Sequence, residues 1–591
     1  MTIYTITTDQ AATVDAHTGA AFGDVWIVYA GVTVTSTGRA IDGSGFPGYK
    51  SFLIYGNLAG ETFGLDMGDP ESTDANHNRA HISATGTVFG TSSGVQSYGG
   101  WLELTNDGSI FSVEHEAIYA GQGHNTITNS GTVASAESTG ILAYDGDNSI
   151  LNTGTVTAGD YGILAKGDDC HITNTGGINA NLVSQTESYG IGVLGDYAIV
   201  ANSGSIQGYD GGIGINGDYA VLSNSGNVSG KSAGMGAVGV QAAITNDGTV
   251  NSILLGIRLD GAGSQVTNTG AINCSDGIGI SSLGQFNVMI NHGTITAKSG
   301  ITCSGGNARI VNTGSISAID FYGIAAVGDE IVIQNDGIIV AGRQGISVGG
   351  GIGNVVINRG SISTLVDSPD DGVVTFVTAA GETSRLINSG DLLAINHAVI
   401  GGDGDETVIN RGAIFGDVSL GGGSDVFRGG DGSLEGSVSG GAGNDRIFGG
   451  SGDDILSGNN GNDILNGGSG NDILTGGKSR DVMAGDLGDD VFVFNSVLDS
   501  TLGTGRDRIA DFVSGSDLID VSTIDADTGT GGNQTFTFIG ASDFNGLAGE
   551  LQAVAASNNV IVAGDVDGDG LADFAIIVLG VASLAANDFV L

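Results

Sequence analysis

"GGSGDDILSGNNGNDILNGGSGNDILT", residues 449–475, spells one nine-residue unit three times. Asp454, Asp463 and Asp472 fall nine residues apart, each two residues before Leu456, Leu465 or Leu474. The unit continues without a break as GGAGNDRIF (440–448), GGKSRDVMA (476–484) and GDLGDDVFV (485–493), and an outlying copy, LGGGSDVFR, stands at 420–428. Glycine pairs let the backbone turn tightly. An aspartate and an apolar residue two places apart suit a short strand with one buried side. Nine residues cannot bury an apolar side chain alone, but stacked copies can. The tail therefore reads as a solenoid of short strands and glycine-rich turns.

Upstream the period lengthens. A unit of apolar, any, Asn, any, Gly, any, apolar recurs fourteen times, with Asn106, Asn129, Asn152, Asn174, Asn202, Asn224, Asn246, Asn268, Asn291, Asn312, Asn335, Asn358, Asn388 and Asn410 at its centre. Most steps are 21 to 23 residues, and ISATGTV, centred on residue 84, reads as a degenerate earlier copy. About ten residues after the Asn comes a second marker, usually Gly-Ile, as at Gly140-Ile141 and Gly256-Ile257. Period-two spacing turns the apolar positions, Asn and Gly toward one interior. Two or three strands per unit, stacked, make a parallel β-helix. The asparagines are expected to hydrogen-bond along a ladder at about 4.8 Å per coil, and the glycines to take a backbone conformation other residues resist. The two long steps hold NLVSQTES (181–188) and TLVDSPDDGVV (364–374), read as extruded loops. Outward hydroxyls such as Ser130, Thr132, Thr153, Thr155, Ser203 and Ser205 are either ordinary solvent-facing residues or a face that binds carbohydrate or ice.

Composition narrows the function. Asp+Glu number 65 against 18 Lys+Arg, a formal charge of -47, so the surface attracts cations and repels phosphates; nucleic acid is not an expected partner. Glycine supplies 108 residues and proline three, a turn-rich β composition. Cys170, Cys274 and Cys303 suit neither a disulfide framework nor a zinc site and read as small core residues. The opening MTIYTITTDQAATVDAH lacks a basic segment followed by an apolar one, so export is expected to use another address. No apolar run is long enough for a helical membrane span.

The nonapeptide, GGxGxD followed by any residue and a large apolar one, closely resembles the calcium-binding repeat of the RTX (hemolysin-type) family of exported bacterial proteins. The chemistry agrees: calcium takes six to eight oxygens from carboxylates and backbone carbonyls, which glycine-rich turns can bring together. The resemblance implies that two nonapeptides form one coil of a β-roll, with each ion between turns eighteen residues apart. Asp445 would face the 458–463 turn, Asp454 the 467–472 turn, Asp463 the 476–481 turn and Asp472 the 485–490 turn. The implied calcium set is Asp425, Asp445, Asp454, Asp463, Asp472, Asp481 and Asp490 with Gly440, Gly449, Gly458, Gly467 and Gly476. The pattern departs from the family at Gly458-Asn459, at Gly485-Asp486 and at Lys478 and Arg480, and GGDGDETVI near Asp405 resembles a stray copy.

Residues 492–591, with DRIADF, GSDLIDVS and GDVDGDGLADF, look like the C-terminal domain of serralysin-type metalloproteases. That resemblance implies an uncleaved type I secretion signal, which Asp588, Phe589, Val590 and Leu591 would complete. DVDGDG also sets Asp565, Asp567 and Asp569 at the first, third and fifth places of an EF-hand-like loop, although Ile576 stands at the twelfth. The expected fold is all-β: a cap and irregular early coils (1–100), a parallel β-helix of about 22-residue coils (101–417), an RTX calcium β-roll (418–493) and a C-terminal secretion domain of β structure (494–591). No HExxH protease motif occurs, and HNRAH at His77 to His81 lacks the base and reads as a polar loop. The expected function is a secreted, calcium-folded surface, matrix or adhesion protein, extracellular or attached to the cell surface, that meets the type I machinery and surface glycans or its own copies. The alternative is a β-helix polysaccharide lyase or epimerase acting on uronate polymers, for which Arg258, Asp260, Tyr161, Tyr197 and Tyr219 are candidate residues.

Overall fold

The computed structural model describes residues 2–15, 24–43, 49–68, 77–99, 101–180, 188–366 and 372–591. Residues 181–187 and 367–371, which hold most of the two loops expected to leave the coils, lie outside them. The chain divides into two compact units, Met1–Cys303 and Ser304–Leu591. Each is built on a parallel β-solenoid, and among the described residues there is no α-helix.

One coil of the first unit shows how sequence makes the fold. Thr126–Asn129, Thr132–Ser135 and Ile141–Ala143 are its three strands, and Ser149–Asn152 opens the next coil. Successive coils pair in parallel without slippage: Asn129 meets Asn152, Val133 meets Val156, and Ile141 meets Ile163. Alternation sends Ile127, Val133 and Ile141 into the core, where all three are fully buried, each worth about 1.5–3 kcal/mol.

The asparagines form the expected ladder. Nδ2 of each donates to Oδ1 of the next, at 2.7 Å from Asn129 to Asn152 and 2.8 Å from Asn224 to Asn246, through to Asn291. In the second unit the same bonds run from Asn312 to Asn410. The ladder starts at Asn106, whose buried Oδ1 has no partner, because Ile82, not residue 84, pairs with it from the preceding coil. That turn is longer, since Thr87 rather than a nearer residue aligns with Ser109. The HNRAH segment likewise belongs to a strand, His77–Ile82, with Asn78, Ala80 and Ile82 turned inward, and not to a polar loop.

The glycine after each asparagine has a different cause from the one expected. Gly226 is not in the left-handed region; a Cβ there would lie 2.0 Å from the carbonyl oxygen of Gly204 one coil back. Gly154 and Gly176 meet the same obstacle at 2.1 and 2.0 Å. Close stacking of the turns, not backbone handedness, excludes a side chain. Cys170, Cys274 and Cys303 are buried and free of disulfides.

In the second unit the coils shorten after Asn410. Phe427, Ile447, Leu465 and Met483 align on one side of the roll, and Val438, Leu456, Leu474 and Phe492 on the other. Two nonapeptides therefore complete one coil. Arg508–Ile509 and Leu518–Asp520 add strands to the two sides, and Phe589–Val590 pairs with the latter. Glu550–Ala556, Asn559–Asp565 and Phe574–Leu579 form an antiparallel sheet.

Replacing Asn224 by Ala removes the acceptor of one Asn202 amide N–H and the donor to Oδ1 of Asn246, and should destabilise its unit by about 3 kcal/mol. Gly226→Ala should destabilise it by at least about 2 kcal/mol through overpacking. The exposed Ser225→Ala should change it by less than about 0.5 kcal/mol. Urea unfolding of the whole chain, followed by circular dichroism, checks the order.

Candidate metal centre

The repeat aspartates are placed by the turns that close each nonapeptide. The backbone N–H of Asp445 donates to Oδ1 of Asp463 at 2.8 Å, eighteen residues on. Asp454 to Asp472, Asp463 to Asp481 and Asp472 to Asp490 repeat the bond at 2.8 to 2.9 Å. Two stacks result, one on each side of the roll. The first holds Asp425, Asp445, Asp463 and Asp481, with Asp425 bonded to Asp445 at 2.9 Å; the second holds Asp454, Asp472 and Asp490. The eighteen-residue facing implied by the sequence is thus the spacing at which these carboxylates meet.

One oxygen of each carboxylate but that of Asp454, which starts its stack, is engaged by that bond. The other is not: Oδ2 of Asp425, Asp445, Asp454, Asp463, Asp472 and Asp481 is buried without a hydrogen-bond partner. The first glycine of each repeat makes room for it. A Cβ at Gly440, Gly449, Gly458, Gly467 or Gly476 would lie 2.1 to 2.6 Å from Oδ2 of the aspartate five residues on. Burying an ionised carboxylate without a counter-charge is costly, so these oxygens must either be protonated or face a cation. Burial accordingly pushes Asp454, Asp463 and Asp472 up to about 6, Asp481 to about 7 and Asp425 to about 8, with neighbouring carboxylates adding to the rise. Asp445 and Asp490 are raised by burial as well.

Stacked, acceptor-only, negatively charged oxygens on glycine-rich turns fit a hard divalent cation. Calcium bound there would supply the positive charge the chain lacks. Oδ2 of the repeat aspartates would hold it, while Oδ1 keeps each turn in register with its neighbour. Lys478 and Arg480, which break the pattern, are exposed, and Asp481 keeps its bond from Asp463.

Two residues of the same stacks carry no mark in the nonapeptide reading. Asp481 donates its N–H to Oδ1 of Asp507 at 2.8 Å, and Asp490 donates to Asp517 at 3.1 Å. Oδ2 of Asp507 is again buried and unpartnered, and burial pushes this carboxyl to about 9. Their spacing, 26 and 27 residues, hides them from a nine-residue search. Gly505-Arg506-Asp507-Arg508-Ile509 and Gly515-Ser516-Asp517-Leu518-Ile519 nevertheless keep the Gly-x-Asp-x-apolar half of the repeat, which was the available signal.

At the other predicted loop, carboxylate oxygens of Asp565, Asp567 and Asp573 lie within 4.8 Å of one another. Asp569 is not in that group; its Oδ1 accepts from the N–H of Leu571. Asp565 is buried, and its two oxygens accept from Gly568 and Gly570 at 2.7 and 2.9 Å, so it is satisfied by the turn itself.

Because the raised carboxyls bind protons more tightly folded than unfolded, the metal-free roll should lose stability as pH rises from about 4 through the window of about 6 to 9. Calcium needs these groups deprotonated, so its binding should strengthen over the same window. Thermal melts at about pH 5 and about pH 8, with chelator and with calcium, should show opposite pH trends. Ser479 sits at φ 90° where the other repeats place glycine, so Ser479→Gly should stabilise the roll by about 1 kcal/mol, read by the same melts.

A profile of the RTX calcium-binding nonapeptide repeat, four copies long, matches residues 437–465 and 457–492. No curated protein sequence matches the chain. Among solved structures, the R3 subunit of the mannuronan C5-epimerase AlgE6 from Azotobacter vinelandii is similar, with 30% identity over 25% of this chain and 78% of that one, at a TM-score of 0.19. The stacked aspartates and the profile fall on the same stretch: residues 437–492 are RTX calcium-binding nonapeptide repeats.

Proposed function

We propose that the chain is a secreted protein that completes its fold on meeting extracellular calcium and then serves as a surface, matrix or adhesive component. The observation that carries this reading is the stack of buried, unpartnered Asp Oδ2 atoms. At cytosolic calcium they disfavour the folded roll; at the millimolar levels of extracellular sites, which calcium modules can be tuned to sense, they favour it. Folding is thereby tied to place. The C-terminal residues are consistent with export before folding. Asp588 is buried and accepts hydrogen bonds from Ser514 and Gly515, and Phe589 pairs with Ile519. A type I exporter that reads these residues must read them in the unfolded chain. Once folded, the coils offer stacked hydroxyl columns, with Thr155 bonded to Thr132 across coils, as a repetitive face for glycans.

A second reading has one observation in its favour. Tyr161, Tyr189 and Arg258 line one trough of roughly 300 Å³ on the first unit. Arg258 pairs with Asp260, and the floor includes Gly192, Gly214 and Gly236 in register. A uronate lyase or epimerase needs a base beside a cationic group, and tyrosine with arginine would supply them. Tyr197 and Tyr219 stack on each other outside this trough.

Full-length protein in chelator should gain β signal in circular dichroism when calcium is raised to millimolar levels, and the loaded protein should then bind a subset of a glycan array without altering it. A chain that keeps its complete β signal in chelator defeats the calcium-dependent reading. Unsaturated ends, or solvent exchange at C5, on alginate or pectate would replace the adhesive reading with the enzymatic one.

A further inference from the structure

The acidic stack does not begin inside the family match. Upstream of residue 437, the N–H of Glu406 donates to Oδ1 of Asp425 at 2.7 Å, the bond that each repeat aspartate makes to the next. The steps here are 19 residues, from Glu406 to Asp425, and 20, from Asp425 to Asp445, instead of 18. Gly401-Gly402-Asp403-Gly404-Asp405-Glu406 keeps the nonapeptide spelling with glutamate in the sixth place. A Cβ at Gly401 would lie 2.9 Å from Oε2 of Glu406, as one at Gly440 would lie 2.3 Å from Oδ2 of Asp445. The turn is thus built like a calcium turn, in a strand, Asp405–Asn410, that ends on the last ladder asparagine.

Two orphaned oxygens flank the glutamate. Asp425 Oδ2, in the coil after it, is buried without a partner, and so is Oγ of Ser384, which is aligned with Glu406 in the coil before it. Glu406 itself is fully buried. Its Oε1 accepts from the hydroxyl of Thr378 at 2.5 Å and its Oε2 from the N–H of Gly402 at 3.3 Å. Nothing in those two contacts neutralises its charge. Two carboxylates stacked one coil apart and buried together repel strongly unless a cation or a proton intervenes, and the serine and aspartate oxygens remain to be satisfied.

We propose that Glu406, Asp425 and Ser384 hold a calcium ion at the junction between the asparagine-laddered coils and the nonapeptide coils. The site rests on the calcium reading of the roll and shares Asp425 with its outlying copy, but lies upstream of the family match at 437–492. It extends calcium control upstream: the coil from Val374 to Asn410, whose core and ladder belong to the longer repeat, completes its turns only when the ion is present. Thr378 is a positioning residue that aims Oε1.

The test uses the full-length chain and calcium alone. Equilibrium dialysis counts the ions bound to wild type, to Glu406→Gln and to Asp463→Asn. Glu406→Gln should bind one ion fewer, as should Asp463→Asn. If Asp463→Asn loses an ion and Glu406→Gln does not, the junction site is overturned while the roll stands; if neither variant loses one, the roll reading falls too. Should Glu406→Gln misfold, hydrogen exchange on the unaltered chain decides. Added calcium should slow exchange of the amides in 401–410 along with those in 440–490, and slowing confined to 440–490 overturns the proposal.

Discussion

One bracket recurs in both units of this protein: the backbone N–H at a turn donates to a side-chain oxygen one coil further on. In the first unit Leu102 donates to Oδ1 of Asn125, Ala242 to Oγ of Ser264, and Ser264 to Oδ1 of Asn287. In the second, Ile331 donates to Oδ1 of Asn354, and Asp445 to Oδ1 of Asp463. The geometry is shared and the chemistry is not. An amide carries its own donors to satisfy neighbours, as Asn125 does toward Gly121 and Asn148. A carboxylate brings a second acceptor and a charge, and from Asp425 to Asp481 no hydrogen bond from the chain answers that second acceptor.

That difference divides the molecule into coils that are complete in themselves and coils that need a cation. The asparagine ladders satisfy buried polar groups internally, so those coils rest on apolar burial and amide bonds. The aspartate stacks have the same apolar line, from Phe427 through Ile447 and Leu465 to Met483, beside a column of like charges. Calcium converts that repulsion into attraction, and coil closure becomes a binding event. Only 18 Lys+Arg stand against 65 Asp+Glu, so the chain has few cations of its own to do this.

Much of this was legible. The asparagine period named the ladder, and the nonapeptide named both the roll and the residues that face each other, because strict repetition in sequence becomes stacking in space. What escaped was whatever stacks without repeating at a fixed interval. Asp507 and Asp517 join the columns across longer excursions, Ile82 takes the place beneath Asn106 because its turn is longer, and Asp573 enters the acidic loop from the far side of the turn. The glycines after the asparagines were visible, but their reason was not: the carbonyl that excludes a side chain at Gly226 belongs to Gly204 in the coil before.

The most direct test is a crystal structure of the full chain grown with calcium. The account predicts ions about 2.3 to 2.6 Å from Oδ2 of Asp445, Asp454, Asp463 and Asp472, with Oδ1 of Asp445, Asp463 and Asp472 still accepting from the neighbouring turn. Electron density showing those oxygens hydrogen-bonded to water or protein, with no cation beside them at millimolar calcium, would contradict it.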